Sequence, residues 1–344
     1  MMSPLPPSSS AKRTLAILTN ATALSEFDAL VRRGLVVYAP SKVVRLTVDN
    51  FQFEFHINQS LANKPQSGQG LQVSDEKATS SNDGNKPPTP SSKPATFGPG
   101  SDLACPTPDL IIATIHTTHI LVPNAYCVFR PQFLLLTQDS YRRQHEPLDQ
   151  ADLEAARAVL CALGDDRPYF AMFNCGRTAG ASRQHKHMHI IPCSDEDIDH
   201  VVELPTERSR FENGDGAPKQ PILPSILHPR AEDIPFAHFR VSLSASKFRD
   251  LAYSKFLHDA YVSLLEEMHT ALGGDGECIA HNVILIKDWI MVIPRSKDRN
   301  LDVAVNGAGM VGSVWLDREE MLARWLEIGP VEVLRGVGYT LPSE

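Results

Sequence analysis

Three histidines alternate with two other residues in the run His185-Lys186-His187-Met188-His189. On a strand, side chains two positions apart share a face at a spacing of roughly 6.5–7 Å, so this pattern predicts three imidazoles on one surface, with Lys186 and Met188 on the other. With a reference pKa of about 6.5, imidazole is well suited to moving protons or attacking an electrophile near neutral pH. Such a row could also ligate zinc, or fill a sheet face without further purpose. The preceding segment, Asn174-Cys175-Gly176-Arg177-Thr178-Ala179-Gly180-Ala181-Ser182, favours chemistry on an anion. Its small residues let backbone N–H groups approach a negative charge closely. Ser182 adds a hydroxyl, Asn174 an amide, and Arg177 and Arg183 two cations. An imidazole can attack phosphorus and form a phosphoramidate, dividing one hard displacement into two easier ones. His187, the middle ring, is the expected nucleophile. His185 and His189 would orient it, donate to phosphate oxygens and protonate the leaving oxygen.

The elements that must position these groups can be read from hydrophobic pattern. Tyr169 to Asn174 and His185 to Ile191 read as strands flanking the small-residue turn. Upstream, Leu24 to Arg33 reads as a short helix stopped by Gly34, followed by strands at 35–38 and 43–48 and an alternating strand at Phe51, Phe53 and Phe55. Further strands are expected at Leu110 to Ile115, His119 to Val122 and Phe133 to Thr137. Asp149 should cap a helix whose apolar face is Leu153, Ala156, Leu160 and Leu163. Downstream, Leu257, Tyr261, Leu264, Met268 and Leu272 follow helical spacing, and Asn282 to Ile286 with Trp289 to Ile293 should form a hairpin. The mixture predicts an α+β fold of antiparallel sheets with packed helices, in a two-part architecture.

At 344 residues with 42% hydrophobic and 22% charged, the chain is globular in composition. Its six cysteines form no Cys-x-x-Cys pair and are read as reduced thiols. A net charge of −8 argues against a nonspecific nucleic-acid binder, whereas a small anion needs only local positive charge. That charge is present: between Asp166 and Asp195 acidic residues vanish while Arg167, Arg177, Arg183 and Lys186 appear. No apolar stretch approaches bilayer length, so no membrane partner is expected and a cytoplasmic home follows, with the nucleus also open. Residues 66–100 are polar, with few apolar groups, and are expected to be a disordered insertion. Residues 206–235 should be a linker.

On these residues the segment Phe173 to Pro192 resembles the histidine-triad superfamily of nucleotide hydrolases and transferases. The whole chain is similar to the fungal diadenosine tetraphosphate phosphorylases, or ATP adenylyltransferases. Leu61-Ala62-Asn63-Lys64-Pro65 resembles their early lysine-bearing segment, and Val122 to Thr137 their strand pair before the first long helix. Asn282-Val283-Ile284-Leu285-Ile286-Lys287-Asp288-Trp289 through Pro294-Arg295-Ser296 resembles their C-terminal hairpin. The resemblance implies that diadenosine tetraphosphate and phosphate yield ADP and ATP through an adenylyl-histidine. It places His187 as nucleophile and Asn174, Gly180, Ala181 and Ser182 around phosphate. Lys64 and Asn124 would contact substrate from the first half, and Asn306 and Met310 would contact nucleotide from the last.

Four positions depart from the family pattern. Arg183 and His189 stand where glutamine is usual, and Ala125 and Val314 where lysine is usual. Arg183 would restore part of the lost charge and join the substrate-binding set. A histidine at 189 goes with hydrolases of the superfamily, so water as acceptor is the alternative to phosphate. A degenerate nucleotide-binding member without turnover is the third reading. The expected map is a catalytic unit of 1–65 and 101–205, the insertion 66–100, the linker 206–235 and a C-terminal unit 236–344. No tightly bound cofactor or protein-bound metal is expected, although a divalent cation such as magnesium could screen the polyphosphate.

Overall fold

A computed structural model describes residues 15–63, 95–164, 167–193, 200–204, 233–273 and 278–340. The chain begins with α1 (Asn20–Arg32), β1 (Val37–Tyr38), β2 (Lys42–Val48) and β3 (Phe51–Ile57). Then come β4 (Ala113–Ile115), β5 (His119–Pro123), β6 (Tyr126–Cys127), β7 (Phe133–Thr137), α2 (Gln150–Leu163), β8 (Tyr169–Cys175), β9 (His187–Pro192) and β10 (His200–Glu203). The last part supplies β11 (Phe239–Ser242), α3 (Tyr253–Leu272), β12 (His281–Leu285), β13 (Trp289–Pro294), β14 (Arg299–Asn300) and β15 (Val303–Ala304). It ends with α4 (Gly307–Met310), β16 (Ser313–Leu316), α5 (Glu319–Ile328) and α6 (Pro330–Val337).

Local chemistry sets the helix ends. Helix α1 starts earlier than the apolar pattern suggests because Thr19 and Thr22 form a reciprocal capping box. Asp149 caps α2 as expected, through the same kind of box with Asp152, and Gly164 ends it. Gly273, in the left-handed region, ends α3.

Eight strands form the larger sheet in the order β11-β13-β12-β8-β9-β7-β5-β4. Every neighbouring pair in it is antiparallel. A second sheet, β10-β2-β3-β16, is mixed: β2 and β3 are antiparallel, whereas β10 and β16 join them in parallel. Parallel pairing needs a long crossover, and the distance in sequence between these strands provides it. Both sheets combine strands from before and after the 206–235 stretch, which meet at β12-β8 in the larger sheet and at β3-β16 in the smaller, so the two parts of the chain share their hydrogen-bonded framework.

The larger sheet buries both faces. One carries Leu135, Tyr169, Ala171, Phe173, Met188, Val283 and Val292 against α1, α2 and α3. The other carries Phe170, Met172, Ile191, Ile284 and Met291 against the second sheet and the C-terminal helices. Each fully buried Phe, Leu or Ile contributes about 1.5–3 kcal/mol relative to exposure, so α1, α2 and α3 are held by the sheet rather than by helix propensity.

The insertion is shorter than its composition suggests. Residues 95–100 belong to the fold: Thr96 bridges Ala104, the Gly100 N–H donates to Ser140 Oγ, and Phe97 packs beside Leu134 and Leu136. One aromatic anchor and close glycine packing on Ser140 order this end, which composition averaged over the segment conceals. Residues 66–94 of that expected insertion lie outside the described residues, as does most of the expected linker. Ile234, inside the expected linker, packs on the second core.

His281, wholly buried at the start of β12, shows how the core constrains titration. Its Nδ1 donates to the Ile279 carbonyl and its Nε2 accepts from the Tyr261 hydroxyl. Burial brings its pKa down to about 4. An unfolded histidine titrates near 6.5, so this neutral ring stabilises the fold fully above about pH 6.5 and loses that contribution progressively as pH falls to 4. Urea unfolding across this window should show the parent chain losing on the order of 3 kcal/mol more than the His281→Gln variant. Parallel profiles would refute the assignment.

Candidate active site

The second-core face of the larger sheet becomes polar at one end. Asn174 lies near the end of β8, Asn282 sits on β12, and His187 and His189 lie on β9, all on this face, whereas Lys186 and Met188 point to the helices. In the antiparallel register Leu134 lies opposite His189 and Leu136 opposite His187. Their apolar floor is covered by Phe97, Leu103 and Ile111.

Only two of the three histidines share this face, His187 buried and His189 half-buried. His187 and His189 have ring centroids 5.2 Å apart, and His189 lies 6.2 Å from the half-buried Trp315 ring. His185 precedes β9 and is fully buried. Its Nε2 donates to the Thr137 carbonyl at 2.9 Å, and its Nδ1 accepts from Ser101 Oγ at 2.8 Å. Burial keeps its pKa below the usual histidine value. With both nitrogens engaged, His185 cannot donate to phosphate or converge with the others on a zinc ion. The expectation of three rings on one surface therefore fails at His185, because β9 begins only at His187 and His185 bridges Arg143 instead. His185 acts instead through its backbone, for its carbonyl accepts from His187 Nδ1 at 2.7 Å. A carbonyl can only accept, so Nδ1 carries the proton and the lone pair of the neutral ring belongs to Nε2.

Gln144, which the sequence did not single out, holds this strand in place. Its buried amide accepts from the His187 N–H at 2.8 Å and donates to the carbonyls of His187 and Asn174, at 2.9 and 3.1 Å. It thus bridges β8 and β9 beyond the last paired residues, Met172 and His189. Asp102 likewise accepts from the backbone of Gln184 and His185. Behind the run, Lys186 Nζ pairs with Asp152 at 2.6 Å, and Asp152 also accepts from His119 Nε2. Burial alone would raise the Asp152 carboxyl, but the His119 hydrogen bond and the Lys186 charge outweigh it and hold it well below the usual range.

The turn between β8 and β9 is built by close packing. Gly176 and Gly180 both have positive φ, and a Cβ on Gly180 would lie 2.7 Å from Asn306 Cα and 2.8 Å from the Val305 oxygen. Asn174 Oδ1 accepts from Asn282 Nδ2 and from the Gly307 N–H. Buried Arg295 donates to the carbonyls of Ala179 and Val305 and to Asn282 Oδ1. Burial lowers its pKa to about 10, with Asp298 opposing, so the guanidinium is charged at neutral pH and sits beneath the turn. Ser182 is exposed, Gly180, Ala181 and Arg183 half-buried, and Arg177 and Arg183 form no ion pair among the described residues. Within the turn the N–H groups of Gly176, Ala179, Gly180 and Ala181 are already bonded to backbone carbonyls, so what it offers an anion beside His187 is the N–H groups of Arg177, Thr178 and Ser182 and two uncommitted cations.

Other expected contacts divide. Asn124 is half-buried just past β5, two strands from β9, beside exposed Ala125. Asn306 caps α4, its Oδ1 accepting from the Gly309 N–H. Met310 is fully buried in the second core, where its thioether packs among apolar residues. Val314 is buried too. Lys64 lies outside the described residues. Gln144, Ser101 and Asp102 carry no local signal, since the site partners that matter are 30 to 84 residues away. Arg295, directly after six apolar-strand residues, was the one position whose charge could have been noticed.

Comparison with known proteins places this geometry. The model of the Ap4A phosphorylase N-terminal domain matches residues 46–208, and that of the ATP adenylyltransferase C-terminal domain matches residues 232–340. The chain belongs to the Ap4A phosphorylase family. Within this family, Protein APA1 of Saccharomyces cerevisiae is 27% identical over 209 residues, 57% of this chain and 61% of that protein. Diadenosine 5',5'''-P1,P4-tetraphosphate phosphorylase 2 of the same yeast is 29% identical over 209 residues, 56% of this chain and 60% of that protein. The matched stretch thus spans about three fifths of either relative. The fold is shared with a crystal structure of yeast Ap4A phosphorylase Apa2 (TM-score 0.66, 22% identity, 97% of each chain) and with one of Apa2 in complex with Ap4A (TM-score 0.64, 22% identity, 95% of this chain and 98% of that one). A third, of Apa2 in complex with AMP, has a TM-score of 0.64 at 21% identity, covering 96% and 97%.

Replacing Gln144 by alanine leaves the His187 N–H and two strand carbonyls unpaired. The variant should lose about 2–4 kcal/mol in denaturant unfolding. A change below about 0.5 kcal/mol would show that the clamp is dispensable.

Proposed function

We propose that the chain converts diadenosine tetraphosphate and phosphate to ADP and ATP through an adenylyl group carried on His187. The observation that carries this reading is the 2.7 Å bond from His187 Nδ1 to the His185 carbonyl, which assigns the lone pair to Nε2 beside the anion-cupping turn. In the first step Nε2 attacks an α-phosphorus, a P–N bond forms, and the P–O bond to the departing ATP breaks. In the second, a phosphate oxygen attacks the same phosphorus, ADP departs and Nε2 is restored. The N–H groups of Arg177, Thr178 and Ser182, with the charges of Arg177, Arg183 and Arg295, offset charge on the phosphoryl oxygens in both steps. Family membership supports the assignment, as do the Ap4A and AMP complexes of the similarly folded yeast enzyme. Of the expected substrate contacts, Asn174, Gly180, Ala181, Ser182 and Arg183 gather at the turn, and Lys64 and Asn124 belong to the same proposal.

His189 supports water as a second acceptor, since it stands beside His187 where the family usually has glutamine. The reaction needs no tightly bound cofactor, and a cation such as magnesium would only screen the tetraphosphate. We propose a cytoplasmic setting, with the nucleus open, and small nucleotides rather than nucleic acid as partners.

Products resolved after incubation with diadenosine tetraphosphate decide the acceptor. ADP plus ATP, formed only when phosphate is present, is the expected result. AMP plus ATP without phosphate would replace the phosphorylase with a hydrolase, and saturable binding without turnover would remove both. His187→Ala should lower turnover by at least about 1,000-fold with little change in binding. His189→Gln should raise the ratio of phosphorolysis to hydrolysis.

A further inference from the structure

Two cysteines meet beside the turn although they are far apart in sequence. Cys175 is the last residue of β8, buried between Asn174 and Gly176. Cys278 lies just before β12 and is exposed. Pairing of β12 with β8 places His281 opposite Cys175 and thereby brings the Cys278 segment alongside. The two sulfurs and a His281 ring nitrogen all lie within 4.8 Å of one another. We propose that Cys278 and Cys175 are an oxidative modification site, in which Cys278 reacts with a hydroperoxide and Cys175 resolves the product into an intrachain disulfide.

The surroundings suit each sulfur to its role. The neighbouring Cys175 sulfur brings Cys278 down to about 7 against the opposing effect of burial. The same interaction, with burial, pushes Cys175 up, so at neutral pH Cys278 is about half thiolate while Cys175 stays protonated. In the first step the Cys278 thiolate attacks a peroxide oxygen and the O–O bond breaks. The product is a sulfenic acid, and the leaving oxygen takes a proton to become water when the peroxide is hydrogen peroxide. In the second step the Cys175 sulfur attacks the sulfenic sulfur, an S–S bond forms, and the hydroxyl leaves as water with the Cys175 proton. Two thiols and one hydrogen peroxide thus give one disulfide and two waters. Cys105 and Cys161 are poor competitors, since burial raises both.

Formation of this pair does not depend on the reaction proposed above. It does bear on the same turn. Cys175 Sγ now donates to the His145 carbonyl, next to the residue that clamps His187. A bridge would replace that bond and tie the end of β8 to the entry of β12.

The reduced full chain, treated with a few equivalents of hydrogen peroxide at pH 7, blocked with N-ethylmaleimide and digested without reduction, tests the assignment by peptide mass spectrometry. A peptide joining Cys175 to Cys278 is expected. The Cys278→Ser variant should yield none, and Cys175→Ala should leave Cys278 as a sulfenic acid trapped by dimedone. A thiol near pKa 7 is about half ionised at pH 7 against about 1% for one near 9. Iodoacetamide should therefore label Cys278 at least about 10-fold faster than Cys105, and several-fold faster than Cys278 in Cys175→Ala. Equal labelling rates, oxidation of Cys105 or Cys161 with Cys278 untouched, or one equivalent of zinc held by the untreated chain and protecting both sulfurs would each overturn the proposal.

Discussion

A single hydrogen bond, from His187 Nδ1 to the carbonyl of His185, decides which ring nitrogen can attack. An imidazole with its proton on the other nitrogen would present a donor to phosphorus and no lone pair. Much of the surrounding structure keeps that carbonyl and that ring in register. Thr137 and Ser101 immobilise the His185 side chain, Asp102 holds its N–H, and Gln144 fixes the His187 backbone on both sides of the residue. Lys186, between the two histidines, is anchored in the opposite direction by Asp152. Removing one member of that buried pair would leave an uncompensated charge, so the strand is pinned from its rear as firmly as from its front.

The division of the larger sheet into two faces explains how one strand can serve both packing and chemistry. Alternate residues of β8, β9 and β12 join the helix-covered core, and their neighbours reach the site. Polar side chains on the second face are tolerated because they satisfy one another: Asn174, Asn282 and Arg295 form a network closed by the backbone of Ala179, Val305 and Gly307. This network joins β8 and its turn from the first matched family domain to β12, β13 and the start of α4 from the second. The anion site is therefore assembled by both parts of the chain.

What the sequence revealed follows from how far each signal extends. The β8 strand, α2 with its Asp149 cap, the Trp289 hairpin and the small-residue turn were legible because each rests on a local period or a cap. The α+β class followed from them, while parallel pairing in the smaller sheet did not, since nothing local encodes which distant strand lies beside β3. His185 was misplaced because period-two reasoning assumes the strand begins where the histidines begin. Ser101 and its neighbours were hidden by the low-complexity residues before them, and Gln144 by a polar stretch with no periodicity. The burial of Met310 in the second core was likewise not encoded locally.

The covalent intermediate provides the most direct test. The chain mixed with diadenosine tetraphosphate in phosphate-free buffer, and quenched within a turnover under mildly alkaline conditions that spare P–N bonds, should gain the mass of one adenylyl group. Peptide mapping should locate it on His187. An adduct on any other residue, or substrate consumption with no adduct at the earliest accessible times, would contradict the account.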